Sequence, residues 1–343
     1  MAFRPMSAFR NRVPRWVGVS VAAAVLAGGA GTAIASSAPT GPISPTKSLC
    51  HGKTFKIGYD VFSSTQPFAN LVTKGLKDAA AKVGCVSVLT TVDNENGSVA
   101  VGNVKTMLNE GANAIVDFNI LASYQPAIAT LAKNAHVPAA AIVGATLKGY
   151  PAVGANNYGA ALLAGEAMGK AAKAKFHGST PYVVVAAEPT AGAIVMQRYY
   201  GVVAGVKKSY PSLPSSHVIQ VNSDGTESGT YNNALSAFSR IPSNGDVVTT
   251  GVNDEVTAAM YKAAQARHIS NYLVESFGGD PFGLHQVCSV RSHYIGALYL
   301  EPEQWGQSAL ATVMLMADHK HYSSNVGIAG QQVTASSSVA GCK

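Results

Sequence analysis

"TFKIGYDVFSSTQPFANLVTKGLKDAAAKVGCVSVLTTV" (residues 54–92) decides the fold. Its opening, "TFKIGYDVF" (54–62), is a short apolar run of strand length. In "PFANLVTKGLKDAAAKVG" (67–84), Phe68, Leu71, Val72, Leu76 and Ala79 recur at helical spacing, and Gly84 supplies a stop. "CVSVLTTV" (85–92) then returns to strand composition. A strand, a helix and a second strand in direct succession make one βαβ unit, which needs a parallel sheet.

Outward from this unit the rhythm continues. Helix 96–111 leads to strand 112–120, and helix 123–138 to strand 139–146. It restarts with helix 156–175, strand 180–188, helix 193–210, strand 217–225, helix 230–241, strand 245–254, helix 255–268 and strand 270–280. Another helix is expected near 304–320, then one final irregular strand in 323–336. The strands read as continuous apolar runs rather than alternating ones, so both faces of each sheet are covered. The expectation is an α/β chain with two such sheets.

The head of the chain is different. Arg4, Arg10, Arg12 and Arg15 precede an apolar, Ala/Gly-rich run from Trp16 to Ala35 that ends in the small-x-small sequence Ala33-Ile34-Ala35. Residues 1–35 read as a secretory signal, with an uncleaved anchor as the alternative. Ser/Pro/Thr-rich residues 36–49 read as a flexible linker with no core to bury, so the folded part is expected to begin near Cys50.

Charge excludes one function class. The leader holds four of the 25 basic residues and none of the 18 acidic ones, so without it the formal charge falls from +7 to +3. That modest, dispersed charge does not suit nucleic acid. Export favours disulfides for Cys50, Cys85, Cys288 and Cys342. Three pairings exist. Cys50 and Cys85 each precede one of two neighbouring parallel strands, which favours Cys50–Cys85 and leaves Cys288–Cys342; four unpaired thiols are the alternative. No C-x-x-C, H-E-x-x-H, G-x-S-x-G or phosphate-loop motif occurs. His319 and His321 beside Asp318 are spaced i, i+2, which points them apart on a helix, so they read as surface residues rather than metal ligands. No cofactor, metal or catalytic residue is expected.

In open parallel sheets, ligands bind at the carboxyl ends of the strands. Those positions carry Phe62, Phe68, Asp93, Asn94, Asn96 and Asn119 in the first half. In the second they carry Glu188, Arg198, Asp224, Glu227, Asn253, Asp254, Phe277 and Asp280. Amides, carboxylates and one arginine offer fixed hydrogen bonds, and aromatic faces cover the CH surface of a ring. Each taken alone is an ordinary loop residue; their common placement suits a small polar or polyhydroxy ligand.

Over residues 54–336 the chain resembles the type I periplasmic sugar-binding proteins, the ribose/galactose-type substrate-binding components of ABC transporters. The stretches that carry the likeness are "IGYDVFSSTQPFANLVTKGLKDAAAKVG", "NVKTMLNEGANAIV", "AIATLAKNAHVPAAAIV", "VGANNYGAALLAGEAMGK", "QRYYGVVAGV", "GVNDEVTAAMYKAAQA" and "LEPEQWGQSALATVMLM". The resemblance implies two Rossmann-like lobes joined by a three-strand hinge, with crossovers near 145–150, 298–303 and 328–332. Lobe one would be 50–146 with 302–329, and lobe two 147–300 with 331–338. It implies that Phe68 stacks on a sugar, Arg198 holds ring or hydroxyl oxygens, Asn253 contacts ligand directly and Asp254 supports structure.

Three clamping carboxylates of that family are replaced here, by Leu121 or a neighbour, by Val143 with Gly144, and by Gly278. Glu227 and Glu301 fall near contact positions and are the expected substitutes. The implied function is capture of a sugar or polyol outside the cytoplasmic membrane, by a monomer that delivers it to an ABC permease. A ligand sensor feeding a membrane kinase or chemoreceptor is the second reading, and an exported enzyme the third.

Overall fold

The computed structural model describes residues 40–143 and 147–342; the leader at 1–35 lies outside the described residues. Both sheets belong to one unit, 37–343.

The first sheet has six strands in the order β11-β5-β4-β3-β1-β2. They are β1 (Phe55–Val61), β2 (Val86–Val92), β3 (Ala114–Phe118), β4 (Ala139–Ile142), β5 (Ala152–Ala155) and β11 (Asn325–Ile328), all paired in parallel. Four helices cover it: α1 (Pro67–Val83), α2 (Gly97–Asn109), α3 (Gln125–Asn134) and α9 (Pro302–Ala317). The strand period of two assigns the faces. Ala114, Val116, Ala140 and Ile142 share a core with Val72 and Leu76 of α1 and with Trp305 and Leu310 of α9. Ile115, Ala139 and Ala141 share another with Val104 of α2 and Ile128 of α3.

The second sheet repeats the plan in the order β12-β10-β9-β8-β6-β7. Its strands are β6 (Tyr182–Ala187), β7 (Val218–Asn222), β8 (Asp246–Thr250), β9 (Asn271–Gly278), β10 (Tyr294–Tyr299) and β12 (Gln331–Val333). Helices α4 (Asn157–Lys175) and α5 (Ala193–Ser209) pack on Val183, Val185 and Val248. Helices α6 (Glu227–Phe238), α7 (Asp254–Ala266) and α8 (Pro281–Ser289) pack on Val184, Val247 and Val274. Only β12 runs antiparallel, against β10.

Small residues set the helix spacing. A Cβ on Gly75 would meet the Glu303 carbonyl, and one on Gly306 the Val72 carbonyl, so α1 and α9 lie backbone to backbone. Gly165 and Gly205 do the same for α4 and α5.

The chain crosses between sheets three times. It leaves the first after β5 at residue 155, returns between β10 and α9 at 300–301, and leaves again between β11 and β12 at 329–330. The first passage falls later than the expected 145–150, because residues 152–155 add a strand to the first sheet. Short and Ala/Gly-rich, that strand has no periodicity to reveal it. Likewise 323–336 is not one irregular strand but two, split by Gly330 and given to different sheets. Residues 281–299, which carry no assigned element in the sequence, form α8 and β10.

The start of the folded part also differs from expectation. Residues 40–49 are not a free tether. Gly327 N donates to the Thr40 carbonyl at 2.9 Å and Thr40 N to the Asn325 carbonyl at 3.2 Å, so the segment pairs with edge strand β11. Ile43 N donates to Ser308 Oγ at 3.1 Å on α9. Backbone hydrogen bonds to an open sheet edge order this segment where side-chain burial alone would not.

Cys50 is bonded to Cys85 and Cys288 to Cys342, each pair within one lobe. Asp318, beside the two histidines at the end of α9, accepts from His51 Nε2 at 2.9 Å and so ties α9 to the loop after Cys50. Among the described residues no helix is long and apolar enough to cross a membrane.

Candidate functional site

The carboxyl ends of both sheets face a cavity of about 370 Å³. Ligand pockets run from about 300 to 1,000 Å³, so the space suits one small molecule. The first sheet contributes Phe62 after β1, Gln66 and Phe68 at the start of α1, Glu95 after β2, Phe118 and Ile120 at β3, and Val143 after β4. The second contributes Glu188 after β6, Arg198 on α5, Gly225 to Ser228 after β7, Asn253 and Glu255 at the start of α7, and Phe277 and Gly278 on β9. Leu300, in the second crossover, and Trp305 on α9 close one side.

Six sequence-predicted residues are brought together here: Phe62, Phe68, Arg198, Glu227, Asn253 and Phe277. Phe68 packs edge-on to Trp305 at 4.9 Å, and Phe62 edge-on to Phe118 at 4.8 Å. Arg198 Nε donates to Asn157 Oδ1 at 2.7 Å and Nη1 to the Val252 carbonyl at 2.6 Å, with the guanidinium 5.4 Å from the Phe277 ring centre. Burial lowers its pKa to about 10, against the pull of Glu188 and Asp254. Asn253 caps α7 through Val256 N at 2.8 Å and donates its amide to the Gly225 carbonyl at 2.7 Å.

Four others lie off the cavity wall. Asn96 spends its Oδ1 capping α2, at 3.0 Å from Ser98 N and 3.2 Å from Val99 N. Asn94 is exposed in the left-handed turn that aims the next residue, Glu95, at the cavity. Asp254 is buried under the loop, accepting from Ser276 Oγ at 2.6 Å and Asp280 N at 2.9 Å. Glu301 accepts from Gln331 Nε2 at 3.1 Å and so joins the second crossover to the third.

Other loop-end polar residues serve the backbone. Asn119 accepts from Leu121 N at 2.7 Å, Asp224 from Thr226 N at 3.0 Å, and Asp280 caps α8 through Gly283 N at 2.9 Å. Asp93 is buried beside Asp60 in the first lobe, where burial and the Asp60 charge raise its pKa to about 7. Asp117, also buried, accepts from Tyr150 Oη at 2.9 Å, and burial raises it to about 8.

Glu95 and Glu255 are acidic wall residues that the sequence did not single out. Glu188, noted there only as a loop-end residue, is the most enclosed of the group. It is 8 % exposed, and its carboxylate has no hydrogen bond or salt bridge among the described residues. Burial raises its pKa to about 7, with Arg198 opposing and Glu95 and Asp224 reinforcing. Burial, then Asp280, raises Glu255 to about 7 as well. Gly225 keeps a left-handed φ of +85°, and a Cβ there would sit 3.1 Å from the Glu188 carboxylate.

The departures from the resembled family have a physical basis. Gly278 has φ +136°, and a Cβ on it would lie 2.7 Å from Asp254 Oδ2, so an aspartate does not fit there. Val143 holds a left-handed φ of +60° in the cavity wall, an unusual conformation for a β-branched residue. Its carbonyl accepts from Gln125 Nε2 at 2.7 Å. Gly144 lies outside the described residues.

The sequence profile of the periplasmic binding protein domain family matches residues 57–321. No curated protein matches the chain. Among solved structures, the Caulobacter myo-inositol binding protein bound to myo-inositol is 18% identical, covers 83% of this chain and 94% of its own, and superposes with TM-score 0.68. An Actinobacillus succinogenes ABC transporter periplasmic solute binding protein with bound D-allose is 15% identical, with coverages of 82% and 98% and TM-score 0.68. A Mycobacterium smegmatis ABC transporter solute binding protein with bound glycerol is 15% identical, with coverages of 84% and 97% and TM-score 0.69. At these identities the likeness is one of fold.

Proposed function

Because the chain belongs to the periplasmic binding protein domain family, we propose that it captures a small sugar- or polyol-like solute outside the cytoplasmic membrane and presents it to an ABC permease. The observation that carries this reading is the placement of the cavity. Both lobes contribute walls, and three crossovers join the lobes beside it. A cavity so divided closes when the lobes swing together and opens when they part. The solute is recognised by the loops of both lobes at once, and the permease reads the closed form.

Phe68 and Trp305 offer aromatic surface to the CH face of a ring, while Arg198 and the carboxylates offer hydrogen bonds to its substituents. The inositol, allose and glycerol held by the structural neighbours are compact polyols of the size this cavity suits. The family consists of substrate-binding proteins, not enzymes, and no catalytic step is assigned here.

The test is a melting-temperature screen of the purified protein with pentoses, hexoses, inositols, alditols and their amino derivatives. A ligand that binds only the folded form raises the transition by mass action. Small-angle scattering then measures closure. A hit that also contracts the protein supports the reading; a hit that binds without contraction refutes the two-lobe closure.

A further inference from the structure

The cavity is rich in hydrogen-bond acceptors and poor in free donors. Four carboxylates face it, from Glu95, Glu188, Glu227 and Glu255, against one cation among the described residues, Arg198. Lys262, outside the cavity wall, is paired with Glu227. Glu255 Oε2 has a long contact of 3.4 Å from Gln66 Nε2, and its Oε1 is buried without a side-chain partner. Glu188, more than nine-tenths buried, has no hydrogen bond or salt bridge at all among the described residues.

Several of the donors are already committed. The Asn253 amide goes to Gly225, the Thr226 hydroxyl to Asp224 Oδ1 at 2.8 Å, and Arg198 spends Nε and Nη1 on the protein.

A neutral polyol can donate its hydroxyls to these carboxylates but cannot offset their charge. A protonated amine does both: it brings three donors, accepts nothing, and carries the missing positive charge. Bringing the lobes together also sets Glu95 of the first against Glu188 and Asp224 of the second, a like-charge contact that only a cation or a proton relieves. The aromatic walls complement this, since aromatic faces attract cations as well as ring CH groups.

We propose that the solute carries a protonated amine on its polyol frame, an amino sugar or amino polyol, with Glu188 and Glu255 as the carboxylates that receive it. The inference rests on the solute-binding reading above and specifies its ligand class.

The test is calorimetric titration with matched probes: an aminohexitol against the hexitol, and a hexosamine against the parent hexose and the N-acetylated hexosamine. The amine of a matched set is expected to bind about 100-fold more tightly than its neutral counterparts. For the aminohexitol, whose alkyl ammonium stays charged over this range, affinity rises from about pH 6 to about pH 8, because Glu188 and Glu255 lose their protons near 7. The charges facing Glu188 are Arg198, Glu95 and Asp224, and those facing Glu255 are Asp280 and Glu227, with the neutral Gln66 amide at its carboxylate.

Glu188→Gln is expected to weaken amine binding at least about tenfold and to flatten the pH profile. Glu255→Gln provides a second variant should the first not fold. Neutral sugars binding as tightly as the amines, with no pH dependence, would overturn the inference and leave the receptor reading standing. Silence from both panels would overturn both.

Discussion

Gln66 of the first lobe and Glu255 of the second meet across the cleft, with Nε2 3.4 Å from Oε2. Gln66 also caps α1, accepting from Ala69 N at 2.8 Å. One side chain therefore starts a helix in one lobe and touches the other.

Replacing Gln66 by alanine removes both contacts. The lost cap is expected to cost about 0.5–2 kcal/mol, read from the denaturant midpoint. The lost cross-cleft contact is expected to shift the ligand-free protein toward an open form, read as a larger radius of gyration. Gln66→Asn, too short to span the cleft but able to cap, separates the two effects.

Stability should fall as pH rises. Asp93, Asp117 and Glu275 hold pKa values raised to about 7, 8 and 8, chiefly by burial. Each binds its proton more tightly when folded than when unfolded, where carboxyls titrate near 4. Their contribution is complete below about pH 4 and lost progressively as pH climbs through about 8. Urea midpoints at pH 5 and pH 8.5 check this; a higher midpoint at the alkaline end would contradict it.

Restoring an aspartate at Gly278 should not restore a clamp. The left-handed φ and the Asp254 carboxylate both oppose a side chain there. Gly278→Asp is expected to lose about 1–3 kcal/mol or more, and Gly278→Ala the backbone part of that loss. Thermal unfolding of the two variants side by side measures the difference.

The two disulfides close loops of 35 and 54 residues. By chain entropy each contributes about 4 kcal/mol. Since each lies within one lobe, their losses should add, and neither should change the extent of closure on ligand. Cys50→Ser/Cys85→Ser and Cys288→Ser/Cys342→Ser, singly and combined, give the energies, and scattering gives the closure.

Long periodic elements such as α1, α4 and α7 were legible in the sequence, as was the parallel character of both sheets. What escaped reading was short or non-local. β5 has four small residues and no period, and it displaces the first crossover. β11 and β12 look like one segment because only Ala329 and Gly330 separate their allegiances. At the site, helix caps and ligand-facing groups draw on the same residue types. Asn96 and Asn253 both cap helices, and only Asn253 also faces the cavity. Nothing local marks Glu188, because its significance comes from what surrounds it and offers it no partner. Trp305 reaches Phe68 from the far end of the chain, and no spacing rule joins the two.

The late return of α9 and β11 to the first sheet also bears on how the molecule is made. The first lobe cannot close its core until Trp305 and Val326 have emerged, and the second lacks β12 until Gln331 follows. Both lobes are thus finished by the same last stretch of polypeptide, although most of the first is synthesised long before. The chain must therefore keep its early βαβ units from aggregating through nearly the whole of its synthesis. Severing it between β5 and α4 would leave the second lobe whole in the later piece and the first without α9 and β11.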